Sequence, residues 1–264
     1  MVNRKAIISL ILGCLTLVTV VPSYALDFFS TERFDEAAAL PGSSLGAPSG
    51  MVSSWGSYFV ALGGLTHSRY VDRTDGSLSF GMGLGDSINS IGATVTLNIG
   101  SINFDEGQGE RGAFNLSIGK FFTDWQLGIA VGGVNVGGWN RLTTKPKSSS
   151  YLALTKILPF NNHPVIVNIG VGTNAFADIS VFSNVNIINP EDEAAGFIGV
   201  GVYLSPQISF IVDYTSGILA VGTSMAPIDG LPLVLTLGGY DVNKVVPNHD
   251  KVSFVGSLAY SFSF

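Results

Sequence analysis

Cysteine is almost absent from this chain of 264 residues, and its single copy, Cys14, lies near the N-terminus. Two basic residues precede an apolar run over 6–21, and the small residues Ser23 and Ala25 fit the −3 and −1 positions of a cleavage site. We therefore predict a secretory signal peptide over 1–25. The run is shorter than the roughly 20 apolar residues of a spanning helix, which argues against an uncleaved anchor. Cleavage would remove Cys14 and exclude disulfide or thiol chemistry from the mature chain.

Charged residues are also few: they make up 12% of the chain, whereas hydrophobic residues make up 46%. Loss of two of the 13 basic residues with the signal peptide leaves 11 against 19 acidic residues, a net charge of −8. An acidic exported chain is not expected to bind nucleic acid. No later apolar run is long enough for a transmembrane helix. A closed barrel would instead direct the apolar surface to lipid, with every strand paired.

From Met51 onward, apolar residues alternate with small or polar ones, as in strands with two unlike faces. We therefore predict an all-β domain over 51–264, a transmembrane antiparallel up-and-down β-barrel of about 12 strands, with 10–14 strands compatible with the pattern. The 33 glycines recur within these runs, where they leave room inside a barrel. The predicted strands are 52–66, 77–85, 90–102, 111–122, 125–137, 150–159, 164–175, 195–204, 207–216, 218–226, 232–240 and 251–264.

The predicted connections alternate between short and long, and only the ninth, at Gly217, breaks this rule. Outer-membrane barrels have short periplasmic turns and longer external loops. The alternation therefore places both ends of the barrel in the periplasm and the protein in the cell outer membrane. A soluble β-sandwich has many short strands but no reason for such alternation.

Residues 26–50 differ in kind from the barrel. A short helix is predicted near Ser30–Leu40, and a linker rich in Gly, Ser and Pro follows over 42–50. Two interpretations remain open. The segment is either a periplasmic tail, which is usual for a terminus, or a plug folded into the lumen.

The last strand ends on alternating aromatic residues, Tyr260, Phe262 and Phe264. This pattern resembles the C-terminal signal by which outer-membrane barrels are recognised for assembly. It implies the barrel assembly machinery as a partner, and outer-membrane lipid and lipopolysaccharide as surroundings.

The inward face is mainly Gly, Ser, Thr, Asn and Ala, and Asp213 is its exception. An ionisable group at membrane depth is a functional candidate, although a structural hydrogen bond or ion pair within the lumen explains it as well. Lys120 and Lys156 fall on the apolar face near the periplasmic ends of strands, where the short turns are predicted and where lysine side chains extend towards lipid headgroups.

No catalytic constellation is recognisable, so we predict that the protein is not an enzyme and has no metal or other cofactor. Three histidines are present, and a hydrolase built on His67 with Asp72 or Asp75 is the less favoured alternative. The acidic run Glu191–Glu193 and a basic loop are interpreted as solvated loops rather than as sites for calcium or lipopolysaccharide. The basic loop contains Arg141, Lys145 and Lys147.

Several stretches of the chain form a set: GMGLGD at 81–86, VDYTSG at 212–217, PLVLTLGGYD at 232–241 and the strands that carry Lys120 and Lys156. Together they resemble a family of uncharacterised exported barrel proteins common in cyanobacteria. The likeness runs from about Met51 to the end and implies location and fold, with no activity or catalytic residues. A fainter likeness is to barrels linked to exopolysaccharide export.

The charge-poor inward face favours a passive channel or transport-related barrel for small uncharged solutes, because ion-selective pores use rings of charge. The alternative is a structural or assembly barrel, closed inside, that supports the envelope or surface polysaccharide.

Deletion of Phe264 should impair assembly and leave the chain in the periplasm, because the terminal aromatic residue completes the predicted assembly signal. Cell fractionation measures the inserted share. Insertion equal to that of the intact chain would contradict this interpretation of the last strand.

Overall fold

The computed structural model describes residues 40–66, 74–100, 111–140, 148–160, 163–177, 194–246 and 250–263. Several predicted features lie outside the described residues. These are the signal peptide 1–25, residues 26–39, Asp72, Phe264, His67, His249, Arg141, Lys145, Lys147 and Glu191–Glu193.

The described chain forms twelve strands that close into one antiparallel up-and-down barrel, which confirms the predicted fold. Every strand pairs with its neighbours in sequence, and β1 also pairs with β12 to close the barrel. The strands are β1 Ser57–Leu65, β2 Asp75–Gly85, β3 Gly92–Gly100, β4 Arg111–Phe122, β5 Leu127–Asn140, β6 Ser149–Leu158, β7 Val165–Thr173, β8 Ala194–Ser205, β9 Ile208–Thr215, β10 Ile218–Met225, β11 Leu233–Tyr240 and β12 Ser253–Ser263.

The closing contact aligns the first strand with the last, as the sequence predicts. Tyr58 pairs with Phe262, and Leu62 pairs with Leu258. The rings of Tyr58 and Phe262 stack with centroids 5.5 Å apart. Aromatic cross-strand pairs of this kind stabilise a sheet and hold its register.

The two faces of the barrel wall differ as the alternation predicts. Large apolar side chains are exposed on the outer face, whereas small and polar residues on the inner face are buried. In β9, Ile208, Phe210 and Val212 are exposed, but Ser209 and Asp213 are buried. An apolar outer surface on a closed barrel is consistent with an outer-membrane protein. Among the described residues, no helix is long and apolar enough to cross a membrane.

The two ends of the barrel carry different connections. We call the end with the connections 86–91, 123–126, 159–164, 206–207 and 226–232 the turn end, and the opposite end the loop end. The short exception at the loop end is the pair Ser216 and Gly217, with φ of 59° and 79°. Positive φ at both central residues is the geometry of a type I′ hairpin turn, which explains why this connection needs no loop.

The predicted start of the first strand is wrong: β1 begins at Ser57 rather than at residue 52. The preceding residues bond partly to side chains, although the Trp55 N–H still donates to the Gly85 carbonyl at 2.8 Å. The Ser53 N–H donates to Thr94 Oγ1 at 2.8 Å, and the hydroxyls of Ser54 and Ser87 lie 2.9 Å apart. Gly56, with φ of 87°, then redirects the chain into the wall.

Candidate functional site

The described residues 40–56 run through the lumen before the wall begins. We call residues 40–50 the lumen segment. Its backbone contacts the buried, inward face of the strands, from Tyr203 in β8 to Thr155 in β6. These are the contacts expected of a plug rather than of a free tail. The remainder of the predicted 26–50 unit lies outside the described residues.

Asp213 holds the apex of the lumen segment, Leu45 to Ala47, through one carboxylate oxygen. Its Oδ2 accepts hydrogen bonds from the backbone N–H groups of Leu45, Gly46 and Ala47 at 3.1, 3.1 and 2.9 Å. The Ser44 hydroxyl donates to the same oxygen at 2.5 Å. Successive N–H groups that converge on one oxygen form an anion-binding concavity. The alternation correctly places Asp213 on the inward face, and its partners are the structural ones.

The second carboxylate oxygen of Asp213 is also occupied: Oδ1 accepts from the Thr215 hydroxyl at 2.7 Å. The residue is 2% exposed. A buried carboxylate is costly unless hydrogen bonds replace its hydration, and hydrogen bonds to charged groups contribute about 1.5–3 kcal/mol each. Asp213 and the segment apex therefore stabilise each other: the carboxylate needs the donors, and the buried N–H groups need an acceptor.

The entry of the lumen segment is fixed by hydroxyl groups near the turn end. The Tyr203 hydroxyl donates to the Pro41 carbonyl at 2.6 Å. Both backbone polar groups of Gly42 are hydrogen-bonded to the wall. Its N–H donates to Ser224 Oγ at 2.8 Å, and its carbonyl accepts from Ser209 Oγ at 2.5 Å. These wall residues are fully buried, so the segment supplies hydrogen-bond partners where water cannot.

The exit of the lumen segment is bound by two buried, hydrogen-bonded side chains on β6 and β7. The Gly50 N–H donates to Thr155 Oγ1 at 2.7 Å, and Thr155 donates to Asn168 Oδ1 at 2.6 Å. The Asn168 amide in turn donates to the Ser43 carbonyl at 3.4 Å. Both ends of the segment are thus tied to the wall through one chain of polar side chains.

Wall glycines give the segment its space. A Cβ atom on Gly201 would lie 2.7 Å from the Cα of Ser43. A Cβ on Gly128 would collide with the backbone of Gly50. Inward glycines are therefore needed where the segment backbone approaches the wall.

A cavity of about 470 Å³ adjoins the apex of the segment. Leu45, Gly46 and Pro48 of the segment line one side of it. Among the described residues that line the cavity, Asp213 is the one that carries a carboxylate, and none is Lys, Arg or His. The wall contributes Thr94, Thr96, Asn115, Ser117, Val134, Tyr151, Ala175, Phe176, Thr215, Ser216, Ile218, Ala220 and Tyr240, and Leu116 also borders the cavity.

Phe176 packs over the same region from the loop end. Its ring lies 5.8 Å from Tyr151 and 5.3 Å from Phe197, measured between centroids. These rings form an apolar cluster with Ala47 of the segment. The apex is therefore held by the carboxylate on one side and by aromatic packing on the other. Of the predicted 176–194 loop, residues 178–193 lie outside the described residues.

The two wall lysines lie at the turn end, as predicted. Lys120 donates to the Asn89 carbonyl at 3.4 Å and its ammonium lies 5.7 Å from the centre of the Phe122 ring. Lys156 donates to the carbonyl of Trp125. Both ammonium groups therefore bind turn carbonyls, and contact with lipid headgroups stays a prediction.

The predicted assembly residues Tyr260 and Phe262 lie on the outward face near the turn end, with ring centroids 6.2 Å apart. His163 also lies at the turn end, where its Nδ1 is 3.1 Å from the Tyr203 carbonyl oxygen. Among the residues that the structure describes, no group of three or more His, Cys, Asp or Glu side chains comes together.

Sequence reasoning treated the inward hydroxyls as a pore lining and missed their partners. One signal was present: Tyr203 interrupts an inward series of glycines at 199 and 201. A tyrosine beside two inward glycines indicates that another part of the chain fills the space above the glycines. The segment itself offers a matching signal, because a chain rich in Gly and Ser bonds chiefly through its backbone.

Substitution of Gly201 by Ala should displace the lumen segment, because the new Cβ would overlap the Ser43 backbone. We expect the free energy of unfolding to fall by about 1–3 kcal/mol, as for other overpacked sites. Proteolytic cleavage within 40–50 should also become faster. Urea titration and limited proteolysis of the refolded barrel measure the two effects.

Gly196→Ala is the matched control in the same strand. Gly196 is exposed, and the nearest atom to a Cβ placed there is the Gly170 carbonyl oxygen, at an ordinary 3.6 Å. Equal stability and equal cleavage in the two variants would contradict the close approach of the segment to β8.

No protein-family model matches the chain, and no curated protein matches it. The resemblance to cyanobacterial-type exported barrels therefore stays a prediction. The features that bear on function are the lumen segment, its anchor at Asp213 and the adjoining cavity.

Proposed function

We propose that this protein is an integral outer-membrane barrel that conducts small uncharged solutes passively, with the lumen segment as its gate. The observation that carries the proposal is the cavity at the apex of a segment that is held by hydrogen bonds, because its described lining combines polar and apolar groups with a single carboxylate. Such contacts are reversible, since water replaces each bond when the segment leaves.

Membrane placement is supported by the outward face of the barrel. Apolar side chains cover it between the two ends, and aromatic residues are exposed at the turn end. Trp125 is 63% exposed and Phe160 is 65% exposed. Aromatic girdles of this kind lie at the interfaces of membrane-spanning barrels. Lys120 and Lys156 flank this girdle, where ammonium groups meet headgroups and water.

The solute class follows from the charges. Ion-selective pores use rings of charged side chains, whereas the described cavity lining combines hydroxyl, amide, aromatic and aliphatic groups with one carboxylate. That carboxylate already accepts five hydrogen bonds. Uncharged polar solutes fit this lining best, and anions are disfavoured by Asp213.

A closed structural barrel is the second candidate, and the lumen segment itself favours it. The segment approaches wall residues from Gly128 in β5 to Gly238 in β11, so it crosses much of the lumen. A permanently bound segment would block passage and leave the envelope or surface polysaccharide as the place of action. The two candidates differ in whether the segment can leave.

Release of the lumen segment from Asp213 distinguishes the channel from the closed structural barrel. Asp213→Ala removes the acceptor of three backbone N–H groups without adding bulk. In proteoliposomes we expect slow swelling in glycerol or glucose for the intact protein and at least tenfold faster swelling for the variant. The double variant Asp213→Ala/Gly201→Ala should swell fastest, because it also crowds the segment.

Asp229→Ala is the control, since it removes the same charge from an exposed turn residue. It should behave as the intact protein does. If all variants insert and none passes glycerol or glucose, the channel proposal fails and the structural barrel stands. Faster passage of chloride than of glycerol would contradict the assigned solute class.

A further inference from the structure

The cavity at the segment apex has two chemically different walls. One wall comes from β3 and β4, where Thr94 pairs with Ser117 and Thr96 pairs with Asn115 on the inward face. Four neutral polar side chains thus form one contiguous patch. The other lining elements bring aromatic rings and aliphatic side chains to the same space, together with Asp213.

The polar patch retains hydrogen-bonding capacity. Asn115 Oδ1 accepts from the Asn135 N–H at 3.2 Å, which leaves the two amide N–H donors for another partner. Thr94 Oγ1 accepts from the Ser53 N–H, which leaves its own hydroxyl hydrogen. The patch therefore presents donors and acceptors at several points, as a site for a molecule with several hydroxyls requires.

The aromatic rings supply the complementary surface. Tyr151 and Phe176 pack edge to face, and both line the cavity together with Tyr240. Aromatic rings offer flat apolar area with little loss of side-chain entropy on binding. The C–H faces of a sugar ring are apolar while its rim is hydroxylated, so a sugar matches both walls at once.

The charge and the volume of the cavity narrow the class of ligand further. Both oxygens of Asp213 are engaged by donors of the protein, so a cation is not needed to balance hydrogen bonding there. The volume of about 470 Å³ falls within the range of roughly 300–1,000 Å³ that is usual for small-molecule sites. A mono- or disaccharide therefore fits better than an ion or a long lipid chain.

We infer that this cavity is a binding site for a small neutral polyhydroxylated molecule, a sugar or polyol. The inference deepens the proposed function, on which it rests for the solute class. Thr96 and Asn115 bind hydroxyl groups, Tyr151 and Phe176 cover the apolar face, and Asp213 keeps anions out while it holds the floor of the site.

Calorimetric titration of the detergent-solubilised full barrel tests this site with three probes of one scaffold: D-glucose, glucosamine and glucose 6-phosphate. We expect saturable binding of glucose and weaker binding of the charged pair. Thr96→Val keeps the shape and removes one hydroxyl, so glucose affinity should fall about three- to tenfold, the usual effect of one hydrogen bond.

Thr123→Val is the matched control, because Thr123 is exposed in the short turn Thr123–Trp125 outside the cavity. It should bind glucose as the intact barrel does. Absence of saturable glucose binding, or equal affinity in the Thr96 and Thr123 variants, overturns the site. Tighter binding of glucosamine, lost in Asp213→Ala, overturns it in favour of a cation site.

The two proposals fail separately. Glucose flux without saturable binding would remove the site and leave the channel. Saturable binding without flux in any variant would remove the channel and leave a receptor-like barrel.

Discussion

The contact between the Asp213 carboxylate and three successive backbone N–H groups is the interaction on which the interior depends. A buried carboxylate and buried amide donors are each costly alone, and each removes the cost of the other. Their pairing fixes the apex of the lumen segment. The position of the apex then decides where the cavity lies and which wall residues line it.

The barrel size explains why such a segment is present. About eight strands give an interior that side chains can fill, and a barrel of twelve leaves space. Small inward residues enlarge that space further. Gly128 and Gly201 leave room for the backbone of the segment. Hydroxyl and amide groups of the wall then satisfy the backbone polar groups that the segment carries into the lumen.

Much of the fold was predictable because its signals are local. Alternation along each strand and short turns identified twelve strands, and the inward position of Asp213 followed from the same rule. The predicted start of β1 was wrong, because Ser53 and Ser54 bond to the hydroxyl groups of Thr94 and Ser87 rather than to a neighbouring strand backbone. Local pattern does not distinguish a ladder partner from a hydroxyl partner.

The plug contacts were not predictable for a related reason. Asp213 and Ala47 are separated by 166 residues, and no periodicity connects them. The sequence allowed a tail or a plug for 26–50, and the usual behaviour of chain termini favoured the tail. The described residues 41–50 are held by one carboxylate and a few wall side chains, and this complementarity between distant residues leaves no local pattern in the sequence.

Amide hydrogen exchange of Leu45, Gly46 and Ala47 in the membrane-reconstituted protein tests most directly whether Asp213 holds the lumen segment. We predict exchange as slow as that of strand amides in the intact protein. We also predict fast exchange at these three positions in Asp213→Ala, with the strands still protected. Fast exchange of the three amides in the intact protein would contradict a segment latched inside the lumen.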